Sequence, residues 1–371
     1  MKYGSIAFIC RLFLGATLII FSLNSSAFSQ SPPLEIPFVK EWAASKHALR
    51  SAEPFNHWNK AGVIPKACSR CHSTSGFRDY IGADGSKAGS VEHEALVGEV
   101  ISCVACHSKV TRKMTEVTFP SGKKVAKLGS EARCMTCHQG RASTVSVNKA
   151  TANMPADKVS KKLKFINIHY RAAAATRYGT QAKGGYEYDS KTYSGLYLHD
   201  KHSTKCIDCH TLHTFKVEVA NCNLCHRSVK KTKDFKLVRR TEGDFDGDGN
   251  AKEGIAGEIT TLHGVLYKSI KAYAEKVIGT AVVYDSHKYP YFFADKNKNG
   301  KPDKNEAIYP NRYKTWTPRL LRAAYNYQFI AKDPGVYTHN PKYVIQLLHD
   351  SLADLSSKVA VNMKGMVRPD P

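Results

Sequence analysis

The sequence predicts a mainly α-helical fold with extensive loop. In residues 241–371, apolar positions recur at the spacing of helices. Residues 28–240 contain no long helical or strand pattern, and ten cysteines recur there in one short motif. We therefore expect a cysteine-rich region over residues 28–240 and a helical C-terminal region over residues 241–371 that packs on it.

Composition excludes some classes of protein. The chain has 371 residues, of which 42% are hydrophobic and 23% charged, which excludes a disordered or collagen-like chain. Its net charge of +23 favours an acidic protein, anionic lipid or nucleic acid as partner. No nucleic-acid-binding motif accompanies the lysine runs, so we predict no nucleic-acid partner. We expect redox partners with acidic docking faces, although a solvated basic face without a partner is equally compatible.

Residues 1–27 have the pattern of a secretory signal peptide. Lys2 and Arg11 give a basic start, residues 12–23 are mostly apolar, and Ser25 and Ala27 form a small-x-small cleavage site. An uncleaved amphipathic anchor is the alternative. No later stretch has membrane length, so we expect no transmembrane helix after cleavage. The mature chain is therefore predicted to be exported, either to the periplasm or to the outer surface.

The cysteines after residue 27 form five copies of C-x-x-C-H, the attachment motif of haem c. The two thiols add to the vinyl groups of one porphyrin, and the adjacent histidine binds its iron. Disulfides and structural zinc are the alternatives, but neither requires that histidine. We therefore predict five covalent haems, held by Cys68, Cys71, His72; Cys103, Cys106, His107; Cys134, Cys137, His138; Cys206, Cys209, His210; and Cys222, Cys225, His226.

Eleven further histidines could supply the second axial ligand of each iron. Six are distal candidates by their placement, although each could be an ordinary surface or core histidine: His47, His169, His202, His213, His263 and His339. His47 is placed on a predicted helix over residues 41–50, and His169 lies in the helix-forming segment 165–178. His57, His199 and His287 are reserves, whereas His93 and His349 have the character of surface residues.

Local patterns predict the remaining elements. Two short segments that flank residues 120–122 predict a small β-hairpin over residues 113–128. Helices are predicted over residues 258–277, 318–331 and 341–356. Thr317 with Pro318 and Asn340 with Pro341 are cap and first-turn pairs that begin the last two.

Two acidic segments of the tail are candidate calcium sites. The first matches an EF-hand loop, with Lys301 contributing its carbonyl oxygen; a polar turn that binds nothing is the alternative. Its residues are Asp295, Asn297, Asn299, Lys301, Asp303 and Glu306, with Gly300 at the sharp turn. The second has Ile255 at the closing position, so that Glu253 or Glu258 would have to supply the last carboxylate. Its residues are Asp244, Asp246, Asp248, Asn250, Glu253 and Glu258.

The chain resembles the multihaem c-type cytochromes, which include electron-transfer cytochromes, hydroxylamine oxidoreductase and octahaem tetrathionate reductase. Five C-x-x-C-H motifs carry the resemblance, together with SKH at His47, HSTKCIDCHTLH over residues 202–213 and HNP at His339. The resemblance implies covalent haem c, two histidine ligands per iron and closely spaced haems. The chain departs from the catalytic relatives because it lacks a C-x-x-C-K motif and has five motifs where the oxidoreductases have eight.

These features predict an exported pentahaem cytochrome that relays single electrons between redox partners. One alternative is a haem-dependent reductase or oxidase of a small nitrogen or sulfur compound, with one open iron. The other is a subunit of a homo-oligomer, of an extracellular cytochrome filament or of an outer-surface complex.

Overall fold

The longest helices lie in the last third of the chain, as the sequence predicts. The computed structural model describes residues 35–200 and 203–371. The predicted signal peptide and His202 lie outside these ranges. The fold is mainly α-helical with extensive loop.

Fifteen helices and six short strands are present in the described residues. The helices are α1 (Val39–Ala43), α2 (Glu53–Asn56), α3 (Lys66–His72), α4 (Thr74–Tyr80), α5 (Cys103–Cys106), α6 (Lys109–Lys113), α7 (Glu131–Cys137), α8 (Thr144–Thr151), α9 (Ala173–Tyr178), α10 (Cys206–Cys209), α11 (Val219–Asn223), α12 (Ile255–Lys276), α13 (Pro318–Ala331), α14 (Val336–His339) and α15 (Pro341–Ser356). The strands are β1 (Val63–Ile64), β2 (Ala95–Leu96), β3 (Val117–Thr118), β4 (Lys124–Val125), β5 (Val282–Tyr284) and β6 (Phe292–Ala294). Short 3-10 helices cover Gly179–Gln181, Thr232–Leu237 and Tyr309–Asn311.

Helices α12, α13 and α15 pack on one another and supply much of the hydrophobic core. Their buried faces include Leu266, Tyr325 and Leu348, each fully excluded from solvent. The Thr317 hydroxyl accepts a hydrogen bond from the Leu320 amide and begins α13. The Asn340 side chain caps α15 in the same way. The three predicted helices of the tail are therefore confirmed, with boundaries within a few residues.

Two predicted helices of the N-terminal half are wrong over much of their length. Helix α1 ends at Ala43, and the chain then turns, so that the His47 carbonyl oxygen accepts the Ile101 amide at 3.1 Å. In segment 165–178, only α9 is helical. His169 and Arg171 have positive φ angles of 77° and 60°, which interrupt a helix. In both places, contacts with distant segments override local helical preference.

The strands form three antiparallel pairs, β1 with β2, β3 with β4 and β5 with β6. The predicted hairpin around residues 120–122 is confirmed by the second pair, in which Val117 lies opposite Val125. Gly122 has a φ of +81° at its tip. These short pairs brace loops and build no extended sheet.

Residues 40–371 form one unit, in which the main hydrophobic cluster includes Phe119, Tyr186, Leu262 and Leu348. The cluster thus draws on both regions expected from the sequence, and the boundary near residue 240 stays a prediction. Among the described helices, none combines the length and apolar character that crossing a bilayer requires.

Gly179→Ala is expected to lower the free energy of unfolding by about 2–4 kcal/mol, through steric overlap and backbone strain. Gly179 has φ +49° and ψ −129°, and an added Cβ would lie 2.1 Å from the Ser194 carbonyl oxygen. Gly122→Ala is the matched control, because its φ is also positive but its Cβ would meet no atom within 4 Å. Denaturant unfolding of the haem-loaded proteins measures the difference, and equal losses in the two variants would refute it.

Candidate haem sites

All five C-x-x-C-H motifs lie on short helical turns. The first lies in α3, the third in α7, and the others in or next to α5, α10 and α11. Positions three apart share one face of a helix, so the two thiols of a motif project to the same side. In four motifs the histidine amide donates to the carbonyl oxygen of the first cysteine at 2.8–3.0 Å: His107, His138, His210 and His226. All ten described cysteines are free thiols.

Three of the motif histidines are oriented by backbone carbonyl groups. Nδ1 of His72 lies 2.7 Å from the Pro54 carbonyl oxygen, and Nδ1 of His138 lies 3.1 Å from that of Arg171. The corresponding distance from His210 to Phe215 is 3.2 Å. An imidazole that donates from Nδ1 keeps the lone pair of Nε2 for a metal.

A second histidine ring lies opposite four of the five motif histidines. The distance between ring centres is 5.8 Å for His72 and His169, 6.1 Å for His107 and His213, 6.2 Å for His138 and His47, and 5.8 Å for His226 and His199. His210 is in electrostatic contact with His339. The five pairs use ten different histidines.

These separations can be compared with the space that one iron needs. A metal–imidazole nitrogen bond is about 2.0 Å and a ring nitrogen lies about 1.2 Å from the ring centre, so two axial imidazoles have centres about 6.4 Å apart. The four measured distances are close to this value. The residues present therefore fit a haem iron between the members of each measured pair.

Burial keeps two of the facing histidines neutral. The pKa of His47 is lowered to about 4, because burial disfavours the charged imidazole and His138 adds repulsion. The pKa of His169 is lowered to about 4 by burial and by its neighbour His72. Both rings are thus in the neutral form that binds a metal at pH 7.

Three distal candidates of the sequence, His47, His169 and His213, lie opposite motif histidines, and a fourth, His339, is near enough to His210 to act on it electrostatically. His263 does not join them, because its ring is stacked on Tyr327 at 4.1 Å and its Nε2 lies 2.8 Å from the Tyr327 carbonyl oxygen. The prediction that His263 is a distal ligand is therefore wrong, because the apolar spacing around His263 in α12 reflects core packing. His199, a reserve, lies opposite His226 instead. No local pattern separates His199 from its neighbour His202, because the pairing is made by tertiary folding.

The five motifs are adjacent to one another. Thiols of different motifs interact in four places: Cys71 with Cys137, Cys106 with Cys134, Cys134 with Cys206, and Cys209 with Cys222. The third motif, in α7, therefore contacts the first, second and fourth, and the fourth contacts the fifth. The third motif therefore has three neighbouring motifs, so the series of motifs branches at this point.

A buried ion pair joins the third and fourth motifs. Glu131 accepts from the Arg177 guanidinium at 2.5 Å and from the Cys206 amide at 2.9 Å. Arg177 also donates to the Thr204 carbonyl oxygen. Because both charged groups are largely buried, their separation would leave an unpaired charge, so the two motifs are held at a defined distance.

In the loop over residues 295–306, two carboxylates accept hydrogen bonds from backbone amides of the same loop. Asp295 accepts the Gly300 amide at 2.8 Å, and Glu306 accepts the amides of Lys296 and Asn297. Oδ1 of Asp295 and Oε2 of Glu306 are buried and accept no hydrogen bond. Carboxylate oxygens without a hydrogen-bond donor are available to bind a cation.

The segment over residues 244–258 brings five carboxylates together. Among the described residues, two triads of carboxylates have their ligand atoms close enough together to share one metal ion. They are Asp244, Asp246 and Glu258, and Asp246, Asp248 and Glu253, with ligand atoms within 4.8 Å of one another in each triad. Glu253 and Glu258 are the two candidates to supply the last carboxylate of this segment. Each therefore lies close enough to the aspartates to do so.

Comparisons with known proteins agree with this architecture. The family model of cytochrome c7 and related cytochrome c matches residues 53–139, which contain the first three motifs. The C-type polyheme cytochrome OmcB of Geobacter sulfurreducens is 25% identical over 359 residues, covering 81% of this chain and 45% of that protein. The C-type polyheme cytochrome OmcC of the same species is 25% identical over 396 residues, covering 91% and 49%.

The chain is similar to polyheme c-type cytochromes, and its residues 53–139 match the cytochrome c7 family. The chain spans about half the length of the curated relatives that it matches. Among solved structures, the outer cell wall cytochrome OcwA matches with a TM-score of 0.41 and 15% identity, covering 86% of this chain and 50% of that one.

Proposed function

We propose that this cytochrome relays single electrons through five covalently attached haems c, each held by two histidines. The observation that carries the proposal is that four C-x-x-C-H histidines face a second histidine ring and that the fifth, His210, has His339 near enough to act on it electrostatically. The axial pairs are His72 with His169, His107 with His213, His138 with His47, His210 with His339, and His226 with His199.

Two histidines per iron favour relay over substrate chemistry. An iron with both axial positions filled lacks a free position for a substrate but can still change its oxidation state. A reductase or oxidase would need an open iron, whereas four motif histidines have a partner ring and His210 has His339 nearby. The haem supplies the redox chemistry, and the chain orients the imidazoles and sets their electrostatic surroundings.

The contacts between motifs support electron transfer within the molecule. The thioether positions of the first, second and fourth motifs all lie beside those of the third. Haems attached at these positions would be neighbours, and the Cys209–Cys222 contact continues the series to the fifth motif. An electron could therefore cross the chain in steps between adjacent groups.

A basic surface next to the fifth motif supports docking of an acidic redox partner. Exposed cationic side chains follow that motif at Lys230, Lys231, Lys233, Lys236 and Arg240. Arg240 is close enough to lower the pKa of His226, after the larger effect of burial. Complementary charge accelerates association and orients the partner. We also propose that the chain is exported, because residues 1–27 have the pattern of a signal peptide.

His199→Ala is expected to open the iron of the fifth motif, so that the reduced protein binds one carbon monoxide per chain. The unsubstituted protein should contain five haems by pyridine haemochrome, all low-spin, and should bind none. His287→Ala is the control, because His287 is exposed and is not among the paired histidines. If His199→Ala retains five low-spin haems and binds no carbon monoxide, the proposed axial pair is wrong.

The ring of His339 has a carboxylate as its hydrogen-bond partner. Nδ1 of His339 lies 2.8 Å from Oδ2 of Asp333, whose carboxylate is almost fully buried. A carboxylate draws the Nδ1 proton more strongly than a carbonyl group does and makes Nε2 a better electron donor. This favours ferric iron, so we infer that Asp333 lowers the reduction potential of the fourth haem.

Asp333→Asn should raise one of the five reduction potentials by about 60 mV, a tenfold change in the one-electron equilibrium. Spectroelectrochemical titration measures the five potentials. Asp350→Asn is the control, because Asp350 is equally buried but its carboxylate is paired with Arg368. Five unchanged potentials in a fully haem-loaded Asp333→Asn protein would contradict the assigned role.

We further propose that the loop over residues 295–306 binds calcium. Glu306→Gln is expected to weaken this site by about tenfold or more, because the last residue of such a loop supplies both carboxylate oxygens. Calorimetric titration with calcium measures the change. Glu275→Gln is the matched control, because Glu275 is an exposed acid that contacts the loop only through Lys298. An unchanged titration of Glu306→Gln would exclude the site.

A further inference from the structure

The acidic segment before α12 contains a buried carboxylate oxygen with no hydrogen-bond donor. Asp246 is 5% exposed, and its Oδ2 atom accepts no hydrogen bond. The other oxygen, Oδ1, accepts the Asp248 amide at 3.1 Å, and the Thr261 side chain interacts with the carboxylate. Oε1 of Glu253 is also buried and lacks a donor. Since an unpaired buried charge is costly, these oxygens point to an absent positive partner.

A cation that enters this cluster, Arg239, is already engaged. Arg239 lies against Glu258, with its Nη1 2.6 Å from Oε1. The other oxygen of Glu258 accepts the amides of Phe245 and Asp246, both at 2.9 Å. Glu258 is therefore satisfied and holds the loop in place, which leaves Glu253 as the free closing carboxylate.

The remaining aspartates are arranged by the backbone of the loop. Asp244 accepts the amides of Gly247 and Gly249, both at 2.7 Å, and Asp248 accepts that of Asn250 at 2.7 Å. These bonds hold the carboxylates in one cluster despite their mutual repulsion. Burial raises the pKa of Asp246 and of Glu253, and the neighbouring carboxylates add to both shifts. A bound cation would relieve the same repulsion.

Gly257 makes room for the Glu253 side chain. A Cβ at position 257 would lie 1.8 Å from Oε2 of Glu253, so only glycine allows the carboxylate to rest against the first turn of α12. Gly264, in the same helix, would place its Cβ in open space. The place that the Glu253 carboxylate occupies thus explains why residue 257 is a glycine.

We propose that Asp244, Asp246, Asp248 and Glu253 bind one calcium ion. Carboxylate oxygens select a hard cation, and Ca²⁺ accepts six to eight oxygens in irregular geometry, whereas Mg²⁺ demands a near-octahedral arrangement. The backbone carbonyl of Asn250 occupies the next position of the loop and is available as a further ligand.

This ion would join three parts of the chain. The Phe245 carbonyl oxygen accepts the Val367 amide, which holds the C-terminal segment against the loop. The Ile255 amide donates to the Val238 carbonyl oxygen in the segment that follows the fifth motif. Calcium at this point would therefore secure both the end of the chain and the start of α12 against the last haem segment.

Calorimetric titration of the haem-loaded full chain, stripped of cations and held at constant ionic strength, tests the site. We expect Glu253→Gln to lose one calcium equivalent and Gly257→Ala to weaken one site roughly tenfold or more. Glu242→Gln and Gly264→Ala are matched controls: the first removes an exposed acid two residues before the loop, and the second adds the same methyl group to α12. Both should titrate like the unsubstituted protein, and Mg²⁺ should bind more weakly than Ca²⁺.

Retention of every calcium equivalent with unchanged affinity in Glu253→Gln and Gly257→Ala would overturn the proposal. The proposal would also be overturned if no calcium equivalent depended on Glu253 independently of Glu306. Circular dichroism and the Soret spectrum of each variant establish that it is folded and haem-loaded. Because the measurement is calcium binding, it can fail while the electron-relay proposal stands, and the haem analysis can fail independently of it.

Discussion

The pairing of imidazoles across a gap of about 6 Å constrains the rest of this fold. Each pair joins segments that lie far apart in the chain, as His47 and His138 do. A haem iron in the gap would act as a cross-link between them, so the haem region can hold its shape with short helices and loops. This explains why helices of four to seven residues suffice around the C-x-x-C-H motifs.

The C-terminal helices also hold in place the segments that contain some of the paired histidines. The Lys332 carbonyl oxygen, just after α13, accepts the Arg171 amide and so fixes the segment that contains His169. Asp333 orients His339, and Asn340 both caps α15 and donates to the Gly195 carbonyl oxygen. The apolar core of α12, α13 and α15 therefore provides a rigid frame for two of the proposed distal histidines, His169 and His339. Their buried contacts explain why a region without cysteines bears on the redox groups.

Charge has two different roles in the molecule. The exposed lysines after the fifth motif give a surface suited to an acidic partner, where screening by salt limits the strength of each contact. Inside, Glu131 with Arg177 and Asp333 with His339 act over short distances in a medium that screens them little. The acidic loops before and after α12 differ from the basic surface, because Asp246 and Asp295 each have a buried carboxylate oxygen that accepts no hydrogen bond.

The sequence by itself determined what depends on near neighbours in the chain. The C-x-x-C-H spacing, the caps at Thr317 and Asn340 and the apolar period of α12, α13 and α15 are local, and the structure has the predicted helices there. Only the tertiary structure decided which histidines meet. His263 has helical neighbours suited to a ligand, yet it packs on Tyr327, whereas His199 has no distinguishing pattern and faces His226. Likewise, contacts with Ile101 and Lys332 turn the chain where local preference favours helix, because hydrogen bonds between distant segments outweigh propensities of a few tenths of a kcal/mol per residue.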